Sequence, residues 1–272
     1  MAHEDHHLAD AGDGECREEG AGERRRRCGE SPAGGGRSSR PRRSPGALGA
    51  AVDLADLQFP QRAVTAARPL QNRVDPFGAL WATPERGRLM GNRGGRFHDD
   101  EQRIGRRQWA SRQWIACVCE FKNRRREVFG RGYTELFFRD EPTALAAGHR
   151  PCFECRRAEA LAFQAAFPGV KPSAPAMDAR LHEERRDPAR LTRLDALPDG
   201  AMVLWRGAAH LKAGGRLWPW SFGDYGAPET VAAGEVAALT PPSILAALAA
   251  GYRPRTQGTP LAASPPHNGA VR

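Results

Sequence analysis

The chain has 272 residues, a formal net charge of +9 and a pI near 9.8, with 40% hydrophobic, 27% charged and only 7% aromatic residues. No run of about 18 apolar residues is present, which excludes a membrane-spanning helix. The N-terminus lacks the apolar core of a signal peptide, and six cysteines are too few and too unevenly spaced for a secreted disulfide scaffold. A cytoplasmic protein with reduced or metal-bound thiols is the expectation. The basic balance favours polyanion partners, DNA or RNA, through counterion release.

Residues 1–45 are low in complexity, with Arg24-Arg25-Arg26-Arg27, Gly34-Gly35-Gly36 and Arg40-Pro41-Arg42-Arg43. Such a stretch cannot bury enough apolar surface to offset its ordering entropy, so a disordered extension is expected. Its His3, His6, His7, Cys16 and Cys28 read as solvated rather than as a preorganised metal tail. Residues 46–68 are moderately apolar and read as a short helix or linker. The folded domain is expected over 69–225, opening on the turn-rich Asn72-Arg73-Val74-Asp75-Pro76-Phe77-Gly78.

Gly91-Asn92-Arg93-Gly94-Gly95-Arg96-Phe97-His98 reads as a loop. Trp114 to Phe121 reads as a strand, Asn123 to Arg126 as a turn, and Glu127-Val128-Phe129 as a short return strand. Tyr133 to Phe138 forms a further strand by its aromatic and β-branched content. Asp140 is a helix N-cap, with Pro142 in the first turn and Gly148 as the stop. A second helix is expected from about Arg156 to Phe167, with Ala158, Leu161, Ala162 and Ala165 on one face. A polar helix follows over Ala176 to Arg186. Ala201 to Trp205 is a strand, and Leu217-Trp218-Pro219-Trp220 pairs with it as a hairpin whose proline marks an edge. Residues 226–254 read as a helical appendage, capped by Thr240, opened by Pro241 and Pro242 and closed by Gly251. A disordered tail over 255–272 completes the expectation. The fold class is α+β: a small antiparallel sheet with short helices around a cysteine cluster, flanked by disordered tails.

Cys152-Phe153-Glu154-Cys155 carries the sharpest chemistry. A two-residue gap lets both thiolates face one ion, while intervening amides bond to sulfur. The helix that follows aims its N-terminal dipole at the pair and lowers the thiol pKa values. Cys117 and Cys119 are the upstream candidates. Residues two apart on a strand share a face but lie roughly 6 to 7 Å apart. Thiols on one tetrahedral ion sit near 4 Å, so a bulge or turn would have to bring both in. The expected zinc site is therefore Cys152, Cys155 and one or both of Cys117 and Cys119, with His98 or His149 able to complete it. The alternative is a set of packed thiols without metal.

The stretch Phe137-Phe138-Arg139-Asp140-Glu141-Pro142-Thr143-Ala144-Leu145-Ala146-Ala147-Gly148-His149-Arg150-Pro151-Cys152-Phe153-Glu154-Cys155-Arg156-Arg157 resembles the end of the zinc-binding domain of Ada-type DNA alkylation-response proteins. There an aromatic strand, a helix and turn, and a C-x-x-C lead into the next helix. The resemblance implies zinc ligation by Cys152 and Cys155 and contact with DNA. Family members bind zinc through four cysteines, and one of the first pair accepts methyl groups from damaged phosphates. That first pair is C-x-x-x-C in the family and Cys117-Val118-Cys119 here, and the chain has no Pro-Cys-His-Arg methyltransferase box.

Arginines cluster on either side of the Trp114 strand. Arg124, Arg125, Arg126, Arg150, Arg156 and Arg157 are the candidate phosphate contacts, since guanidinium groups grip phosphate bidentately. Trp109 and Trp114 could stack on bases, although tryptophan more often belongs to a core. A hydrolase is the alternative reading. Asp178 and His182 are four apart on a helix, with Glu183 adjacent, and a carboxylate beside an imidazole makes a general base. Ion pairing along an exposed helix explains the same residues without catalysis. The remaining reading is an interaction protein without a chemical site.

Overall fold

The computed structural model describes residues 68–123, 127–186, 190–231, 233–255 and 260–263. The extensions expected over 1–45 and 46–68 and the tail over 255–272 lie largely outside these residues. So do Arg124, Arg125 and Arg126.

The fold is α+β, built on two sheets rather than one. In the first, β1 (Gln71–Val74), β2 (Leu80–Ala82), β3 (Leu89–Arg93), β4 (Trp114–Val118), β5 (Leu136–Phe138) and β6 (Arg150–Pro151) lie in the order β2-β1-β5-β3-β4-β6. The pairs β1–β5 and β4–β6 are parallel and the others antiparallel. The second sheet is antiparallel. It orders β7 (Arg190–Arg193), β8 (Met202–Trp205), β9 (Ala208–Ala213), β10 (Arg216–Pro219) and β11 (Glu235–Ala238) as β10-β9-β8-β11-β7. Four α-helices lie among the described residues: α1 (Glu141–Ala146), α2 (Arg157–Ala166), α3 (Ala174–Glu184) and α4 (Pro242–Ala249). No helix among the described residues is long and apolar enough to cross a membrane.

Helix α1 forms where its caps predict. The Asp140 carboxylate accepts from the Thr143 amide at 3.0 Å and the Thr143 hydroxyl at 2.7 Å, and Gly148 leaves the helix at φ 76°. All six residues of α1 are buried, including Glu141, whose carboxylate accepts from Arg156 and from the Tyr252 hydroxyl, both at 2.6 Å. This short element is thus a central strut between layers. A helical core lies beside it, where Leu145 meets Phe163 and Phe167 of α2 and its end, Met177 and Leu181 of α3, and Ile244 and Leu248 of α4.

Several expectations need correction. Gly91-Asn92-Arg93 is not loop but part of β3. A Cβ on Gly91 would lie 2.3 Å from the Ile115 carbonyl and 2.7 Å from the Phe138 ring, so this glycine serves close strand packing rather than a turn. Glu127-Val128-Phe129 is a turn, held by the Phe129 amide donating to Glu135, and no strand. The buried face of α2 carries Ala160 and Phe163, whereas Leu161 is exposed. Phe163 and Phe167 are aromatic anchors, and they outweigh the small Ala stripe on the other face. Strand β10 pairs with β9, not with β8, although it does lie on an edge. Thr240 does not cap α4 with its side chain: its hydroxyl accepts from the Met202 amide at 2.9 Å, tying the helix entry to the second sheet. Residues 226–254 are no appendage, because β11 is an inner strand of the second sheet and α4 belongs to the helical core.

Candidate metal centre

Strand β4 delivers Cys117, and the turn between β6 and α2 delivers Cys152 and Cys155. Parallel pairing of β4 with β6 fixes the approach, with Ala116 opposite Pro151 and the Cys152 amide donating to the Ala116 carbonyl at 3.0 Å. The three sulfurs lie within 4.8 Å of one another. Cys117 and Cys152 are buried and Cys155 is half-buried, packed with Met90, Ile115 and Phe137. Three soft donors held this close can hold a metal ion.

Cys119 is not part of the group. It lies past the end of β4, is exposed, and its thiol donates to the Arg88 carbonyl at 3.5 Å. No bulge draws it in, so the roughly 6 to 7 Å between alternate strand residues keeps the two upstream thiols apart. Neither histidine completes the set. His98 stacks on Phe129 at 4.5 Å, with Nδ1 2.7 Å from the Thr134 hydroxyl and Nε2 3.0 Å from the Gly130 carbonyl. His149 packs against Phe138 and Trp114 and takes a 3.4 Å hydrogen bond from Arg93. Among the described residues the donor set is therefore three thiols.

Their electrostatics suit cation binding. Hydrogen bonds from Cys117 and Cys155, with the Glu154 and Cys155 amides also aimed at its sulfur, pull the Cys152 thiol well down. The same hydrogen bonds push Cys117 up, since a second thiolate would sit against the first. One charge is easily held and three are not, unless a divalent cation replaces the protons.

The expected catalytic group does not assemble. Asp178 turns inward, and both its oxygens accept from the Arg150 guanidinium at 2.8 Å. Glu183 faces solvent and pairs with Arg186 at 3.3 Å. His182 meets the edge of Trp109, and burial together with Arg185 and Arg112 lowers its pKa, which weakens it as a base. Residues four apart on α3 share a side of the helix, but the buried cation claims the carboxylate first.

Two of the expected phosphate contacts are likewise removed. Arg150 is buried in the pair with Asp178, and Arg156 is buried in its pair with Glu141. Arg157 is exposed. No local signal marks the Arg150–Asp178 pair, whose members are 28 residues apart.

His149 supplies a pH prediction. Burial first, then the Arg93 and Arg185 charges, holds its pKa well below the usual 6.5. The unfolded chain takes up a proton near that pH and the folded chain does not. This contribution is complete above about pH 6.5 and is lost as pH falls below it. Denaturant titrations near pH 7.5 and 5.5 should show the acid-side loss shrinking by roughly 1 kcal/mol in His149→Gln.

Comparison with protein-family models, with curated proteins and with solved structures finds no match to this chain.

Proposed function

We propose that the protein is a zinc-braced nucleic-acid-binding module. The convergence of the Cys117, Cys152 and Cys155 sulfurs carries the reading. Thiolate ligands, a two-residue gap and backbone amides aimed at sulfur favour zinc among the common metals. The ion would tie β4 to the start of α2 and so hold the first sheet against the helical layer.

Charge supports the nucleic-acid half. Arg86, Arg88, Arg106, Arg112, Arg131 and Arg157 are exposed and make no ion pair among the described residues. Exposed, unpaired guanidinium groups on a chain of net charge +9 are suited to phosphate. The resemblance of residues 137–157 to the Ada-type zinc-binding domain points the same way. The hydrolase reading has no observation in its favour, since Asp178 and Glu183 are both committed elsewhere.

Fluorescence anisotropy with labelled 20-mer DNA and RNA tests the proposal. Neutralising four or five phosphates gives a log–log salt slope of about −4 on duplex DNA, and Arg106→Ala and Arg112→Ala should each remove about 0.9 from it. Absence of salt-dependent binding to either polymer would end the nucleic-acid half. Purified protein without bound metal would end the zinc half.

A further inference from the structure

A second site lies away from the thiols. A cavity of about 200 Å³ is lined by Phe77, Arg93, Gln108, Trp109, Trp114 and Arg185, among other residues. Its walls are mainly apolar. Phe77 and Trp109 are exposed although large and hydrophobic, while Trp114 and Arg93 are buried. Exposed aromatics flanking a concave surface mark a place where a ligand is received.

The two guanidinium groups are the decisive feature. Arg93 and Arg185 both lie over the Trp114 ring, at 4.0 and 4.1 Å. Neither has a carboxylate within 4.0 Å among the described residues. Arg93 is held by neutral groups: the Gly78 carbonyl at 2.7 Å, the Gln108 carbonyl at 3.4 Å and the His149 imidazole. Arg185 donates to the carbonyls of Gly148 and Arg112, and its Nε is buried with no partner. Elsewhere in this molecule buried arginines are paired: Arg150 with Asp178, Arg156 with Glu141. Here a buried Arg93 and a half-buried Arg185 share one indole ring without a directly bonded carboxylate. Burial pushes Arg93 down to about 9 and Arg185 to about 10, and Arg185 adds to the depression of Arg93. Asp75 offsets part of the Arg93 charge, and Asp178 and Glu184 part of that on Arg185, but none forms an ion pair with either, which leaves both guanidinium groups able to take an arriving anion. Glu184 also borders the cavity, but its oxygens are taken by the Ser243 amide and hydroxyl and by Arg180.

We propose that this cavity binds a small planar organic acid, its ring lodged against Phe77 and Trp109 and its carboxylate drawn to Arg93 and Arg185. The volume suits a single-ring acid of roughly ten non-hydrogen atoms. Charge-assisted hydrogen bonds to guanidinium select the anion, and the aromatic rim selects the flat ring. None of the three clustered thiols lines the cavity.

Isothermal titration calorimetry of the full chain with benzoate, nicotinate and orotate tests this, with benzamide and nicotinamide as neutral counterparts and the four 5′-mononucleotides as competitors. At least one acid is expected to bind saturably, and its neutral counterpart at least about tenfold more weakly. Trp109→Ala and Arg185→Gln are each expected to weaken that acid about tenfold. Trp109 is exposed, so its replacement leaves the fold intact, and it decides the matter alone if Arg185→Gln does not fold. No saturable binding by any acid, equal binding of acid and amide, an unaffected Trp109→Ala, or binding by mononucleotides only would each overturn the proposal.

Discussion

Cys117→Ser, Cys152→Ser and Cys155→Ser are each expected to lose bound zinc, whereas Cys119→Ser keeps about one ion per chain. The contrast follows from position. The first three sulfurs lie within 4.8 Å of one another, while the Cys119 thiol is exposed and turned to the Arg88 carbonyl. Serine keeps the size of cysteine but supplies a hydroxyl that does not ionise near neutral pH, so the charge that holds the ion falls. Stability should fall with the metal, because an ion that binds only the folded chain stabilises it by mass action. With free zinc a thousandfold above its Kd, that amounts to about 4 kcal/mol. Chelation of the unmodified protein should produce a similar drop in denaturant midpoint, and the three site variants should then be insensitive to chelator. Elemental analysis and urea titration measure both effects. Retention of metal by Cys117→Ser, or its loss in Cys119→Ser, would contradict the assigned donor set.

Asp178→Ala is expected to destabilise the protein by about 3–5 kcal/mol. Arg150 is 2% exposed along its side chain, and both its hydrogen bonds to Asp178 are 2.8 Å. Removing the carboxylate strands a cation among Pro151, Phe153 and the α3 face, where water cannot replace the lost partner. The paired change Arg150→Met with Asp178→Leu should recover most of the loss, since two apolar groups of similar volume escape the desolvation penalty. Urea denaturation of the single and double variants measures the coupling. The same variants separate structure from recognition. Where Arg150 acts only as a buried partner, the refolded double variant binds nucleic acid with the same salt slope as the parent. A reduced slope would mean that Arg150 meets phosphate after all.

The local parts of this protein are legible in its sequence because local signals fix them. Asp140, Pro142 and Gly148 sit at spacings that cap one short helix, and α1 forms between them. The two-residue gap of Cys152 and Cys155 is itself the geometry of half a metal site, and β4 follows from its β-branched and aromatic residues. Choices among partners lie beyond such signals. Cys117 or Cys119, the Gly91 strand that reads as a loop, and the second sheet with its inner β11 all depend on which strand lies alongside. Arg150, Arg156 and Asp178 read as surface charge, and burial pairs them with partners 28 and 15 residues away. Arg93 and Arg185, from distant segments, both stack on the Trp114 ring, which no local signal marks. Composition and spacing set what each segment can do. Only the folded chain decides which side chains leave water together, because the cost of an unpaired buried charge is settled between segments and not within them.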